Sequence, residues 1–443
     1  MGDGILGRMA SSYDCDVVVA GGGPAGSTAA AFLARAGRRV VVLERDRFPR
    51  FHIGESLLAS VNDVLRAIGA DDLVRRAGFT RKWGATFLPA DGSLERYLDF
   101  ASAPGVDMPQ TWQVPRAAFD DLLLRHAAAC GADVREQQRI VDVAFDADGV
   151  TATVQTTNST CGTRALRARA MVDASGRGAL LGRKFNLRID EPRLANVAVF
   201  SHYSGVPRRD GRRAGDIRIV ARDDLGWFWL IPISDELMSV GVVLPRTAFR
   251  AFADLDHETI LERAIAGTPA VAALLAQARR EWPVRVERDF SFGSRAYAGD
   301  RWVLAGDAGS FLDPVFSTGV AIALESGLEA AHAIDAGLAA GDLSARRFRR
   351  FERRQRARYR SFRRFVVGFY TAEFRDLFFD EDPPERMYRA LATVFAGYWR
   401  PALPTRLLVS LFLALVRAQK HVALVPRRKV RSQTLEVRST ENR

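Results

Sequence analysis

The chain has 443 residues, enough for two or three domains with their own buried cores. At 48% hydrophobic and 26% charged residues it has an ordinary globular composition, which excludes a low-complexity or wholly disordered chain. The net charge of +12 is local in origin: Arg346 to Arg364 holds eleven arginines and one acid, Glu352, for a segment charge of +10, and such a patch points to a partner.

Residues 1–12 lack the charged start and apolar core of a secretory signal. Leu6 stands where a myristoylation start needs Ser or Thr, so the segment is expected to be a disordered leader, with Met9 an alternative start. Cys15 to Ala20 is a short apolar, β-branched run. It leads into Gly21-Gly22-Gly23-Pro24-Ala25-Gly26, a small-residue helix to about Ala36, and a second apolar run from Val40 to Leu43. This is strand, glycine turn, helix, strand. In the G-x-G-x-x-G pattern, Gly21 allows the tight turn, Gly23 the approach of a pyrophosphate, and Gly26 the packing of helix on strand. The helix start offers free N–H groups to phosphates. Glu44, 18 residues past Gly26, is positioned to accept ribose hydroxyls. A second match, Gly2, Gly4 and Gly7, follows no strand and is set aside.

Phe48 to Ser56 reads as a loop, with Gly54-Glu55-Ser56 capping a helix that runs from Leu57 to Ile68. Phe79 to Phe87, with Lys82 and Trp83 inside it, reads as one strand entering a second domain. A helix starts near Arg116 and reaches Ala129. Ile140 to Phe145 and Val150 to Thr156 form a hairpin across Asp148-Gly149. Ala170 to Arg177 is a buried strand ending in a glycine turn. Residues 195–245 are strand-rich, and alternation puts Trp227, Trp229 and Ile231 on one face. Residues 256–280 read as a surface helix. Arg301 to Ala308 is a strand running into Gly306-Asp307, and Phe311 to Gly319 is a loop opening a helix from Val320 to Leu338.

Beyond it, Phe348, Phe351, Tyr359, Phe362, Phe365 and Phe369 fall on one face of an arginine-rich helix. Leu407 to Val416 is too short to span a bilayer and is expected to pack on the body, with a frayed basic tail at Arg427-Arg428-Lys429. Membrane-surface contact or partner docking is the alternative reading of that end. Three unclustered cysteines, Cys15, Cys130 and Cys161, suit a reducing, cytoplasmic setting. Six scattered histidines lack ligand spacing, so no metal is expected.

The expected fold class is α/β. A doubly wound, Rossmann-like FAD-binding domain (14–80, 113–180 and 295–342) carries an inserted strand-rich substrate domain (81–112 and 181–294), followed by a helical C-terminal region (343–443). The start CDVVVAGGGPAGSTAA, the turn Asp173-Ala174-Ser175-Gly176-Arg177 and the Gly306-Asp307 strand together resemble FAD-dependent aromatic hydroxylases, their reductase relatives and flavin-dependent halogenases. Three stretches favour the halogenases. Trp227-x-Trp229-x-Ile231-Pro232 is similar to their W-x-W-x-I-P pattern, thought to obstruct the substrate approach of monooxygenases. FLDPVFSTG (Phe311 to Gly319) resembles the loop of the phenol and carrier-bound pyrrole branch. FTRKWGATF (Phe79 to Phe87) puts Lys82 at the family's catalytic lysine. The likeness runs from about residue 14 to 340.

The resemblance implies FAD held by Gly21, Gly23, Pro24, Ala25, Gly26, Glu44, Arg45, Glu55, Ser56, Arg116, Asp173, Gly306, Asp307 and Gly319. It further implies halide at the backbone of Thr318 and Gly319, and a substrate channel at Trp227, Trp229 and Phe316. Reduced flavin, O2 and halide would give hypohalous acid, which Lys82 delivers to a phenol or pyrrole. One nucleotide fingerprint implies a separate flavin reductase. Phe316 stands where tryptophan halogenases carry a glutamate, which argues against free tryptophan as substrate. Carrier proteins are typically acidic, so the arginine segment suits an acidic carrier. Two other readings stay open at this point: a monooxygenase or prenyl-lipid-type reductase on the same scaffold, and nucleic-acid binding by the arginine helix. The latter is disfavoured because its aromatics and arginines lie on opposite faces.

Overall fold

The computed structural model describes residues 13–157, 162–252, 254–288 and 291–428. The expected leader with Met9, and also Cys161 and Lys429, lie outside the described residues. The run Cys15–Ala20 is a strand in the middle of an eight-stranded sheet, with Val40–Leu43 on one side and Arg164–Asp173 on the other, both parallel to it. Asp133–Arg135 and Trp302–Leu304 extend the parallel order outward. Val17, Val18 and Val19 are fully buried, as a parallel strand covered on both faces requires. The hairpin Gln138–Phe145 and Val150–Thr156 pairs along the first half of Arg164–Asp173.

The helix Pro24–Arg35 starts straight from the glycine turn. Gly21 has φ +98°, and a Cβ there would sit 2.5 Å from the Ala174 carbonyl oxygen; a Cβ on Gly26 would sit 1.9 Å from that of Gly21. Neither position accepts a side chain. The small-residue helix Thr318–Ala340 packs on Pro24–Arg35, with Ala25, Ala29, Ala30, Ala31, Ala321 and Ala323 in one core.

The second eight-stranded sheet takes Asn196–Ser204, Leu237–Pro245, Trp227–Pro232 and Ile217–Ala221 in antiparallel succession, then Gly84–Leu88 parallel to the last and Arg96–Asp99 at the edge. The single strand expected over Phe79 to Phe87 is instead broken at Trp83. Thr80–Lys82 pairs with Thr111–Gln113, while Gly84–Leu88 joins the second sheet. The cause is Asp216, whose carboxylate accepts the N–H groups of Trp83 (2.6 Å) and Gly84 (3.0 Å) and turns the chain. The surface helix expected over 256–280 is two helices, His257–Ala266 and Pro269–Leu275, because Gly267 and Pro269 interrupt it. The helix after Ser56 begins later than expected, at Val61.

The arginine-rich helix is Arg349–Phe369, and its aromatic face is buried: Phe351, Phe362, Phe365 and Phe369 are each under 5% exposed. Its charge is partly neutralised from outside the segment. Arg358, 1% exposed, pairs with Glu325 (2.9 Å) and Glu329 (2.8 Å); Arg354 pairs with Glu329, and Arg363 with Glu191. Arg346, Arg347, Arg349, Arg350, Arg353, Arg360 and Arg364 remain exposed. Leu403–Gln419 packs Val409, Phe412 and Leu413 inward and leaves Leu403, Leu407 and Leu411 outside. The basic end is docked through Arg428 rather than frayed there: its N–H donates to Asp376 (2.8 Å) and its guanidinium to the Phe379 carbonyl (2.7 Å). Among the described residues no helix is long and apolar enough to cross a membrane.

Candidate active site

The sequence-read residues converge on one cavity of about 920 Å³ that runs from the glycine turn to the second sheet. Gly21, Gly23, Pro24, Ala25, Glu44 and Arg45 line one end; Glu55, Ser56, Arg116, Asp307 and Gly319 line the middle; Trp227 and Trp229 line the far wall. Gly26, Lys82, Asp173, Gly306, Thr318 and Phe316 are not part of that wall, and each has another position in the structure.

At the glycine end the geometry suits a dinucleotide. The helix Pro24–Arg35 begins here, with Gly23 contributing no capping side chain, so its first-turn N–H groups have no intrahelical partner. Glu44 is fixed in orientation by two backbone donors, Gly22 N–H to Oε2 (2.7 Å) and Asp46 N–H to Oε1 (2.8 Å). Gly26 packs the turn. Asp173 accepts the N–H groups of Ser175 (3.0 Å) and Leu181 (2.8 Å), so it shapes the turn that carries Arg177 into the cavity. Gly306 donates its N–H to Ser326 (2.7 Å), and Asp307 beside it lines the cavity; desolvation pushes the Asp307 carboxyl up to about 6 against the pull of Arg116 and Arg177. The residues fit FAD.

In the middle, Arg116 sits at a helix start and makes a two-pronged pair with Asp120 (2.8 and 2.9 Å), and its other arm donates to the Ile53 carbonyl (2.8 Å). It therefore clamps the Phe48 to Ser56 loop. Glu55 Oε1 lies 2.9 Å from His202 Nε2, both side chains 4% exposed. His52 also lines the cavity, and its imidazole is lowered to about 4 by desolvation and the Arg116 charge.

Lys82 is 1% exposed and lies behind Ser56. Its amine donates to Ser56 Oγ (2.8 Å) and the Leu57 carbonyl (2.8 Å), 5.4 Å from the centre of the Phe100 ring. Burial lowers its pKa to about 7, with Asp216 opposing weakly. Ser56, itself a wall residue, links this amine to the cavity.

At the far end, Trp227, Trp229 and Ile231 share the cavity face of their strand, with Phe200 against Trp229 at 5.7 Å. Phe316 is 4% exposed and stacks on Phe395 at 4.2 Å and 11°, in an aromatic cluster with Phe87 and Phe369. Ser317 has φ +57°, which sets up the start of Thr318–Ala340. Gly319 lines the cavity, while the buried Thr318 hydroxyl has no partner.

Sequence reasoning missed His52, Asn196, His202, Asp313 and Tyr370. Glycine and tryptophan patterns mark their own positions; His52 lines the cavity but carries no such pattern, and Asn196, His202, Asp313 and Tyr370 meet the site through pairings across more than fifty residues.

The family model described as "Tryptophan halogenase" matches residues 16–103 and 95–382. A 1H-pyrrole-2-carbonyl-[peptidyl-carrier protein] chlorinase from Pseudomonas fluorescens is 34% identical over 401 residues, 85% of this chain and 88% of that protein. The flavin-dependent halogenase armH3 of Armillaria mellea is 36% identical, covering 73% of this chain and 68% of that protein. Among solved structures, the myxobacterial chondrochloren halogenase CndH aligns at TM-score 0.75 and 35% identity, over 94% of this chain and 98% of that one. A flavoprotein/dehydrogenase from Cytophaga hutchinsonii aligns at TM-score 0.83 and 30% identity, over 91% and 99%. The family model, the two sequence relatives and CndH are all named as halogenases, which supports halogenation over the non-halogenating alternative. This chain belongs to the flavin-dependent halogenases, α/β enzymes of the Rossmann-like FAD-binding fold, and FAD is its cofactor.

Proposed function

We propose that this halogenase acts on an electron-rich phenol or pyrrole ring presented on an acidic carrier protein, and that Lys82 delivers the oxidised halogen. The observation that carries the reading is the buried Lys82 amine, joined through Ser56 Oγ to the cavity wall. When bound, reduced FAD supplies the two electrons that, with O2, turn halide into hypohalous acid. Over the whole reaction an arene C–H becomes C–X, while halide, O2, one proton and FADH2 become two waters and FAD.

The chain's own residues divide the work. The turn Gly21 to Gly26 and the first N–H groups of Pro24–Arg35 hold the pyrophosphate. Glu44 takes the adenosine ribose, with Arg45 beside it. Asp307 would hold the remainder of the linker with Gly306 fixing its turn through Ser326, Asp173 would shape the opposite turn, and Arg116 would steady the Ile53–Ser56 loop that lines the cavity. Thr318 and Gly319, at the N-terminus of a long helix, offer backbone N–H groups and the positive end of its dipole to halide.

With its pKa at about 7, Lys82 is part ammonium and part amine near neutrality. As an ammonium it polarises hypohalous acid by a hydrogen bond; as an amine it accepts the halogen. Its dry surroundings keep water from consuming the oxidant. Trp227 and Trp229 wall off the cavity, and Phe316 fills a packed aromatic site with no carboxylate, which disfavours free tryptophan. The carrier is supported by the pyrrole-carrier-protein chlorinase among the relatives and by seven exposed arginines between Arg346 and Arg364. A separate flavin reductase supplies FADH2, and the three unclustered cysteines suit a reducing, cytoplasmic setting.

The test offers phenol and pyrrole probes, free and carrier-bound, to the protein with FAD, a flavin reductase, NADH, O2 and bromide. A bromine isotope doublet on a carrier-bound ring supports the reading. A doublet on free tryptophan, with none on phenol or pyrrole, would sink it.

A further inference from the structure

Asp313, within the Phe311 to Gly319 loop, is 0% exposed yet collects donors from three directions. Asn196 donates to Oδ2 at 2.8 Å, the Tyr370 hydroxyl donates to the same oxygen at 2.7 Å, and the Val315 N–H reaches Oδ1 at 3.2 Å. The Trp227 indole N–H in turn donates to the Tyr370 oxygen at 2.7 Å. The direction of this chain is fixed, because an indole only donates and a carboxylate only accepts, so the Tyr370 hydroxyl must accept from one and give to the other. Four separate parts of the fold meet here: the strands Asn196–Ser204 and Trp227–Pro232, the loop, and the end of the helix Arg349–Phe369.

The consequence lies one turn further on. Pro314, Ser317 and Gly319 line the cavity with Trp227, and Ser317 is held at φ +57°, a conformation that persists only where the surroundings impose it. The buried Thr318 hydroxyl beside it has no hydrogen-bond partner in the protein. We infer that Tyr370 and Asp313 are positioning residues that set halide affinity, by locking Trp227 and the Pro314–Phe316 turn into one hydrogen-bonded unit. The C-terminal helical region thereby becomes part of the halide site, although none of its described residues lines the cavity. This rests on the reading of Thr318 and Gly319 as the halide loop.

The test titrates bromide into the FAD-loaded protein, following flavin absorbance and tryptophan fluorescence without turnover. Tyr370→Phe removes two buried hydrogen bonds, the one accepted from Trp227 and the one donated to Asp313, and should raise the bromide Kd at least about tenfold. FAD affinity and far-UV circular dichroism should not change. In turnover the KM for bromide should rise while kcat at saturating bromide stays within about twofold, as for lost ground-state positioning. Should Tyr370→Phe fail to fold, Asn196→Ala removes another donor to Asp313 and should raise the Kd about threefold; an unchanged Kd there overturns the inference. Thr318→Val, which removes the unpartnered hydroxyl beside the loop's backbone N–H groups, reports separately on the halide loop. Bromide binding weakened by Thr318→Val but not by Tyr370→Phe would leave the loop reading intact and overturn the role of Tyr370. A wild-type protein that shows no bromide binding would remove both.

Discussion

The two ends of the cavity are built by different means. At the glycine end the work is done by backbone: a turn without side chains, the start of a helix, and a carboxylate pinned by two N–H groups. At the far end it is done by side chains from distant parts of the chain, with Phe316 stacked on Phe395 and Trp227 tied through Tyr370 to Asp313. A site of the first kind is sensitive to a single added carbon. One of the second kind spreads its sensitivity over a packed cluster, and it can change substrate while the first stays the same.

That contrast can be broken by substitution. Phe395→Ala opens the aromatic cluster and should cost about 3–5 kcal/mol of stability with FAD affinity retained. Urea denaturation beside flavin titration reads both; lost FAD binding at unchanged stability would erase the distinction between the ends. Gly26→Ala does the reverse. Its Cβ would lie 1.9 Å from the Gly21 oxygen, and FAD affinity should fall about 100-fold. Wild-type affinity in that variant would mean that the turn does not hold the pyrophosphate.

Lys82, bonded to Ser56 at the middle of the cavity, carries its own signature. Its pKa is about 7 when folded, against an ordinary 10.5. Between those values the unfolded chain holds a proton that the folded chain has released. Wild-type stability relative to Lys82→Met should therefore rise with pH across that window, with the burial penalty fully present below it. Denaturation at several pH values tests this, and a difference that stays flat contradicts the buried, neutralised amine. The smallest effect belongs to the surface. Reversing the charge of Arg346, Arg349, Arg350 and Arg353 should raise KM for a carrier-bound substrate about threefold to tenfold at low salt, and leave a free probe unaffected. Equal kinetics on the carrier-bound substrate would separate the arginine patch from carrier docking.

The legibility of the molecule followed the same division. The strand, turn and helix from Cys15 to Arg35 are local in origin and were readable to within a residue. The Trp227, Trp229 and Ile231 face was readable because alternation is a property of the strand alone. What escaped was non-local. Asp216, more than 130 residues away, breaks the strand at Trp83. Glu325 and Glu329 absorb Arg358, which a count of segment charge treats as free. The docked end at Arg428 depends on Asp376 and Phe379, and Tyr370 reaches the site only because its helix packs against the second sheet.

The most direct measurement is the ratio of halogenated product to flavin oxidised, in wild type and in Lys82→Ala. The account predicts that the variant still oxidises reduced flavin at close to the wild-type rate while its product falls by about 1,000-fold, a loss on the scale of removing a central electrostatic group. Product formation persisting within a few-fold would contradict a delivering lysine, and would mean that hypohalous acid reaches the ring without Lys82.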